Sequence, residues 1–232
     1  VDALSVVGTI VTIVSFLAMI LQWLYYNKIK FYVFVNRIVK RMREVTFDVS
    51  FTYKVKKDID VFNNIELSLK EMYKLKNINK EMNLKTHKIY NLDNFLLKVQ
   101  LDKEVNADED IDEVFIYIPK LKVTYKSAED ILEEIDKLSQ VIKKKMNINE
   151  EKYSLDIRYY KNRNPFFGYA IQRFGVKTVK SFVCQLDCNI LIDNEQHDLN
   201  DKKACIYKEY VNVTDNSFSD LRRVAKYLLI LR

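Results

Sequence analysis

The chain has 232 residues, 48% of them hydrophobic and 30% charged; this excludes a disordered chain and a polytopic membrane protein, and leaves room for one sizeable domain or two small ones. Glycine occurs 3 times and proline 2 times, so collagen-like sequence, low-complexity linkers and glycine-rich phosphate loops are excluded too. The net charge of +6 is concentrated: Lys28, Lys30, Arg37, Lys40, Arg41 and Arg43 lie in a stretch with no acid, residues 1–27 carry only Asp2, and residues 44–232 are close to neutral at +1. A nucleic-acid binder spreads its positive charge over the folded domain, so there is no strong case for DNA or RNA.

Ala3 to Tyr26 is a run of 24 residues without a charged side chain. As a helix it extends about 36 Å, enough to cross a hydrocarbon core of about 30 Å with some tilt. Trp23, Tyr25 and Tyr26 gather at its C-terminal end, where amphipathic rings favour the interface, and the basic stretch follows at once. Positive charge marks the cytoplasmic side, so the expected topology is single-pass in the cell membrane, N-terminus outside and the following domain cytoplasmic. A cleaved signal peptide fits less well, because Asp2 is acidic, the apolar run is long and no A-x-A pattern precedes Asn27. A core helix of a soluble protein rarely keeps so many residues uncharged.

Within this run Ser5, Gly8, Thr12, Ser15, Met19 and Gln22 recur at alternating steps of three and four, on one helix face. Small residues let helix backbones approach, and Ser, Thr and Gln can hydrogen-bond between helices in lipid. Ser5, Gly8, Thr12, Ser15 and Gln22 are therefore the candidates for self-association into a homo-oligomer, or for the lining of a small pore. A single span also tolerates Ser and Thr when they bond back to their own helix. From Lys28 to Arg43 the helix is expected to continue as a basic amphipathic stretch on the lipid surface, with Phe31, Val35, Ile38 and Met42 on one side. Its six cations can each contribute about 1 kcal/mol of attraction to anionic lipid. The expected organisation is a transmembrane helix at 1–26, a juxtamembrane helix at 27–43 and a domain at 44–232.

Beyond Arg43 the period changes to two. Val45, Phe47, Val49, Phe51, Tyr53 and Val55 alternate with polar residues as a strand with one buried face. A helix follows from about Asp58, with Phe62, Ile65, Leu69 and Met72 on one stripe. Residues 77–92 are polar and read as a short strand or a loop. Phe95, Leu97, Val99 and Leu101 form the next strand. In 114–125 the odd positions Phe115, Tyr117, Leu121, Val123 and Tyr125 are apolar, and Pro119 predicts an edge or a bulge. Ser127-x-x-Asp130 suits a capping box and opens a helix carrying Ile131, Ile135, Leu138 and Ile142. Tyr153 to Tyr159 is a further strand. The order β-α-β-β-α-β is that of a split βαβ, ferredoxin-like layer. Two long strands, near 176–192 and 203–213, and a C-terminal helix capped by Ser217 complete a mostly antiparallel α+β domain. Asn164-Pro165 and Gly175 bracket a short helix between them.

No motif specifies a catalytic residue, a cofactor or a metal. Cys184 and Cys188, four apart in a strand, would stand about 13 Å from one another, too far for one zinc ion with Zn–S bonds near 2.3 Å. With Cys205 they read as buried free thiols in a reducing cytoplasm. His87 and His197 read as solvated. Asp58-x-Asp60 follows a strand as metal-binding carboxylates can, but lacks a companion glycine-serine turn, and Asp58 serves equally as a helix N-cap. Asp108, Asp110 and Asp112 read as a solvated charge run.

The richest soluble segment is 158–174. Arg158, Tyr160, Lys161, Arg163, Tyr169 and Arg173 interleave cations with aromatic rings, a composition that can stack on a base and pair with phosphate. They are the candidates for binding a nucleotide-type ligand. The spacing favours the alternative that Phe166, Phe167 and Phe174 are core anchors while the charges are solvated. One span followed by a compact cytoplasmic domain resembles the layout of membrane effectors in bacterial nucleotide-signalling defence systems, a likeness with no motif behind it. The expectation is thus a membrane-anchored sensor or effector. A membrane-bound nucleotide or phosphoester enzyme and a scaffold subunit docking a protein partner are the alternatives.

Overall fold

A computed structural model of the protein describes residues 3–38, 44–75, 78–92, 94–103, 111–148, 150–159, 164–175, 177, 179, 181–187 and 203–229. The apolar run forms helix α1, Ala3–Asn27, and after a break at Lys28 the chain resumes as α2, Ile29–Ile38. The expected single continuous helix is therefore two. Lys40, Arg41 and Arg43 lie outside the described residues.

The alternating residues after Arg43 form β1, Glu44–Lys56, whose odd positions from Val45 to Val55 are all buried. Helix α3, Val61–Tyr73, follows. Its N-cap is Asp60, which accepts a hydrogen bond from the Asn63 amide at 3.1 Å; Asp58, expected in that role, sits exposed in the preceding turn. The polar stretch after α3 is a hairpin of β2, Asn79–Asn83, and β3, His87–Leu92, and it continues into β4, Phe95–Asp102. Glu66 on α3 pins this hairpin. It receives Lys80 at 2.7 Å, Lys88 at 3.1 Å and the Tyr90 hydroxyl at 3.2 Å. Partial burial raises the Glu66 pKa, but the two lysines outweigh it and hold the carboxyl below its ordinary value.

Strand β5, Ile111–Thr124, is bulged as Pro119 foretold. Phe47 pairs with Leu121 and Val49 with Ile118, so Pro119 and Lys120 together face Asp48. Lys120 takes φ +51° there. The extra residue reverses the strand's phase. Val114, Ile116 and Ile118 are buried before the bulge, Leu121 and Val123 after it. Phe115 and Tyr117, expected inside, stand on the opposite face at 37% and 38% exposure. Asp112, expected in a solvated run, is buried.

Helix α4, Ala128–Met146, and strand β6, Glu150–Tyr159, follow. Ser127 occupies the N-cap of α4 without capping it, because its hydroxyl is taken by the Thr124 amide at 3.1 Å and hydroxyl at 3.0 Å. Helix α5, Pro165–Phe174, begins and ends as expected. Asn164 accepts from the Phe166 amide at 3.0 Å, and Gly175 closes the helix at φ +88°, where a side chain would be strained. Strands β7, Val183–Asp187, β8, Lys203–Tyr207, and β9, Tyr210–Asp215, precede α6, Phe218–Leu228, which Ser217 caps through the Asp220 amide. Residues 203–213, expected as one long strand, fold back as the β8–β9 hairpin.

The strands form one nine-stranded sheet in the order β2-β3-β4-β5-β1-β6-β9-β8-β7, with every described pairing antiparallel. Helices α3, α4 and α6 bury their apolar stripes on one face of it, in a single core containing Phe51, Tyr153 and Phe218 packed edge to face. The other face carries Asp48, Ser50, Thr52, Ser154, Asp156, Tyr210 and Asn212, all partly exposed.

The reversal of phase in β5 predicts unequal costs for neighbouring residues. Ile116→Ala should destabilise by about 3 kcal/mol, as for a fully buried aliphatic, and Phe115→Ala by less than about 1 kcal/mol. Chemical denaturation of the detergent-solubilised protein, followed by circular dichroism, measures both.

Candidate functional site

Two features offer chemistry: the uncovered helix α1, and a polar cluster where β1, β5, β6 and β9 meet. Val6–Tyr25 of α1 has a mean hydropathy of 2.1 and none of it is buried by the rest of the chain. It is thus one helix long and apolar enough to cross a membrane, and it is not a core helix. Gly8, Thr12, Ser15 and Gln22 are all exposed on it; Ser5 lies in its first turn. The Thr12 hydroxyl donates to the Gly8 carbonyl at 2.9 Å, so it is satisfied within its own helix. A Cβ added at Gly8 would meet nothing within 4 Å, so nothing in its own chain requires glycine there. Lys28 and Lys30 are exposed at the break and on α2; Arg37 belongs to α2.

Arg158, near the end of β6, finds its partners within its own chain. Its Nε donates to Asp48 at 2.9 Å, its other arm lies 3.8 Å from Asp156, and its guanidinium sits 5.0 Å from the centre of the Tyr210 ring. The antiparallel register explains the crowding. Asp48 pairs with Asp156 across β1 and β6, and Arg158 with Tyr210 across β6 and β9. Two carboxylates face each other, and one guanidinium lies within reach of both, bonded to Asp48 and more distant from Asp156. Asp48 also accepts from the Lys120 amide in the bulge at 2.8 Å and the Tyr117 hydroxyl at 3.2 Å. Asn212 donates to Asp156 at 2.7 Å and to Ser154 at 2.9 Å. Tyr207 stacks on Tyr210 at 4.7 Å between ring centres.

The electrostatics follow. Desolvation raises the Asp48 pKa, but the Lys120 amide, Arg158 and Tyr117 outweigh it, leaving the carboxyl below its ordinary 3.8. The hydrogen bond to Asp48 in turn holds Arg158 above its ordinary value. The ring and anion that Arg158 was expected to find in a ligand are here supplied by Tyr210 and Asp48.

The other expected ligand residues divide. Tyr160, Lys161 and Arg163 lie outside the described residues, and Tyr169 and Arg173 are on α5, with Arg173 exposed. Of the three phenylalanines read as anchors, Phe166 packs on the core and Phe167 on Phe182 at 5.6 Å, but Phe174 is 65% exposed. The residue that fixes this segment is one the sequence reading treated only as a helix start. Asn164 is buried, and besides capping α5 it donates to the Tyr207 carbonyl at 2.7 Å, tying α5 to the β8–β9 turn. Tyr207, Tyr210 and Asn212 were missed because the hairpin was read as one strand. The alternation Tyr210, Asn212, Thr214 was the available signal.

Cys184 packs beside Phe182 and Leu186 against the core, while Cys205 is half-buried on β8; both are free thiols. Cys188 and His197 lie outside the described residues, and His87 is exposed with its Nδ1 2.9 Å from the Thr86 hydroxyl. Among the described residues no three His, Cys, Asp or Glu side chains converge as a metal ion would need.

No family model matches the chain, and no curated protein matches it. A solved structure described as "Crystal structure of aspartokinase alpha and beta subunits" aligns over 82% of this chain and 99% of that chain, at 9% sequence identity and a TM-score of 0.22. A likeness that slight carries no argument about function.

Asp48 should report on acid stability. Its folded pKa lies below the unfolded one, so its contribution is complete above 3.8 and is lost as pH falls through the folded value. Asp48→Asn should cost about 2 kcal/mol at neutral pH, as for a hydrogen-bonded charged group. It should also flatten the acid limb of the stability curve, read from denaturant midpoints at descending pH.

Proposed function

We propose that this is a single-span membrane protein in which α1 crosses the bilayer and associates with α1 of other copies, while the α+β domain sits in the cytoplasm and responds to a ligand or partner. The observation that carries the reading is that none of the twenty consecutive residues Val6–Tyr25, of mean hydropathy 2.1, is buried. The cluster of cations that begins at Lys28 supports the cytoplasmic side for the domain. The division into a span at 1–26, a juxtamembrane stretch at 27–43 and a domain at 44–232 belongs to the same proposal. So does the finer description of the fold. The neighbour order β6-β1-β5-β4, with α3 after β1 and α4 between β5 and β6, supports a ferredoxin-like layer at its centre, extended by the β2–β3 hairpin and by β7 to β9. Folds of this class host many functions, so the role of sensor or effector, with bacterial defence or signalling as its setting, rests on the layout of the chain.

Self-association draws support from Gly8, where an added Cβ would meet nothing within 4 Å. A glycine inside a helix costs about 1 kcal/mol relative to alanine, and close approach of a second helix is what such a residue permits.

Two measurements test the proposal. Alkaline carbonate extraction should leave the chain in the membrane pellet, with mass spectrometry still finding residues 3–27; release, or loss of those residues by cleavage, rejects the span. Gly8→Leu combined with Thr12→Ile should reduce crosslinked oligomer in membranes several-fold while leaving the pelleted amount unchanged. An unchanged oligomer rejects the stripe.

A further inference from the structure

We propose that α5 is a second membrane contact: an interfacial helix whose Phe174 end lies among the lipid headgroups beside the C-terminal end of α1. The inference rests on the reading of α1 as a span. α5 packs against both α1 and α2. Among the described side chains of α1, only Leu24 and Tyr25 are half-buried while the others are exposed, and Phe31 and Val35 of α2 are half-buried as well. The contact therefore falls where α1 ends. A span of Val6–Tyr25 reaches the hydrocarbon boundary at that same point, because twenty residues at about 1.5 Å each match a core of about 30 Å. A helix packed there is at interface height.

The composition of α5 fits that position. Its sequence is PFFGYAIQRF. Phe166 is turned to the protein core, and Phe167 is held by Phe182 with the Lys208 ammonium 5.7 Å from its ring centre. That leaves Phe174, 65% exposed, with Arg173 exposed beside it. An uncovered ring next to a cation is what a headgroup layer accommodates, the ring at the acyl boundary and the guanidinium toward phosphate. Trp23 on α1 and Phe34 on α2, each 56% exposed, are further aromatic rings left open at this end of the molecule. Arg173, expected from the sequence to hold the phosphate of a soluble ligand, takes a lipid phosphate in this arrangement.

Trp23 is the chain's only tryptophan, which makes the test direct. The full chain carrying Trp23→Phe and Phe174→Trp is reconstituted in vesicles of phosphatidylcholine and phosphatidylglycerol. Fluorescence quenching is measured with lipid brominated near the headgroup end of its acyl chains, and with iodide on both sides of the bilayer. Brominated lipid should quench the introduced indole to within about twofold of Trp23 in the unmodified chain, with iodide several-fold less effective than on free tryptophan. Full quenching by iodide with none by lipid overturns the proposal. Protection from both quenchers, the signature of a ring covered by a second copy, overturns it as well. The unmodified chain separates the two layers of the argument. If Trp23 itself escapes the brominated lipid, the span is wrong and α5 falls with it. If Trp23 is quenched and the indole at 174 is not, the span stands and only the role of α5 is lost.

Discussion

Twelve large apolar side chains of α1, from Val6 to Trp23, are between 39% and 62% exposed. Fully burying such a side chain is worth about 1.5–3 kcal/mol, so leaving these half covered forgoes on the order of 10 kcal/mol. That is as large as the whole net stability of an ordinary domain, about 5–15 kcal/mol. The domain core is complete without α1, since its buried residues come from the sheet and from α3, α4 and α6. Little among the described residues covers the apolar surface of α1, and hydrocarbon would cover it over the full circumference. A partner helix covers only a stripe, and the face of Gly8 and Thr12 is where a second backbone could come nearest.

What was legible in the sequence was whatever depended on local pattern. The apolar run, the alternation of β1, and the Asn164-Pro165 and Gly175 brackets of α5 each reflect one short-range cause, and each is present in the structure. The misreadings came where a partner outside the periodic pattern, near or far along the chain, decided the outcome. Phe115 and Tyr117 looked buried because alternation was carried straight through Pro119. The bulge opposite Asp48 shifts the register, so the apolar odd positions before it and after it lie on different faces. Ser127 had the spacing of a cap, but Thr124 took its hydroxyl. Asp58 was read as the cap of α3, but the path of the turn put Asp60 in that place.

At Arg158 the partners expected of a ligand come from the chain itself. Arg158 has the company of a binding site, an aromatic ring and anions, but they come from β9 and β1. No linear pattern shows that Asp48 lies across from Asp156, 108 positions along the chain, until the register is known. Asp48 gathers the bulge amide, Tyr117 and Arg158 at one point. The result is a satisfied polar network on an open sheet face, where each member orients the others.

Asn164 shows why the end of the domain that carries α5 is held in a defined position. Apolar contacts between Phe166, Phe167 and the sheet favour proximity, but they are non-directional and tolerate sliding. The Asn164 amide is buried, so each of its polar atoms must find a partner or cost about 1–3 kcal/mol. Its oxygen takes the Phe166 amide and its nitrogen gives a hydrogen to the Tyr207 carbonyl. The first bond fixes the start of α5 and the second fixes that start to the β8–β9 turn. Tyr207, through its ring, stacks on Tyr210, which lies under Arg158. A continuous set of directional contacts therefore runs from the polar cluster on the sheet to the helix packed against α1 and α2. A displacement of β9 relative to β6 cannot leave α5 in place without breaking one of them.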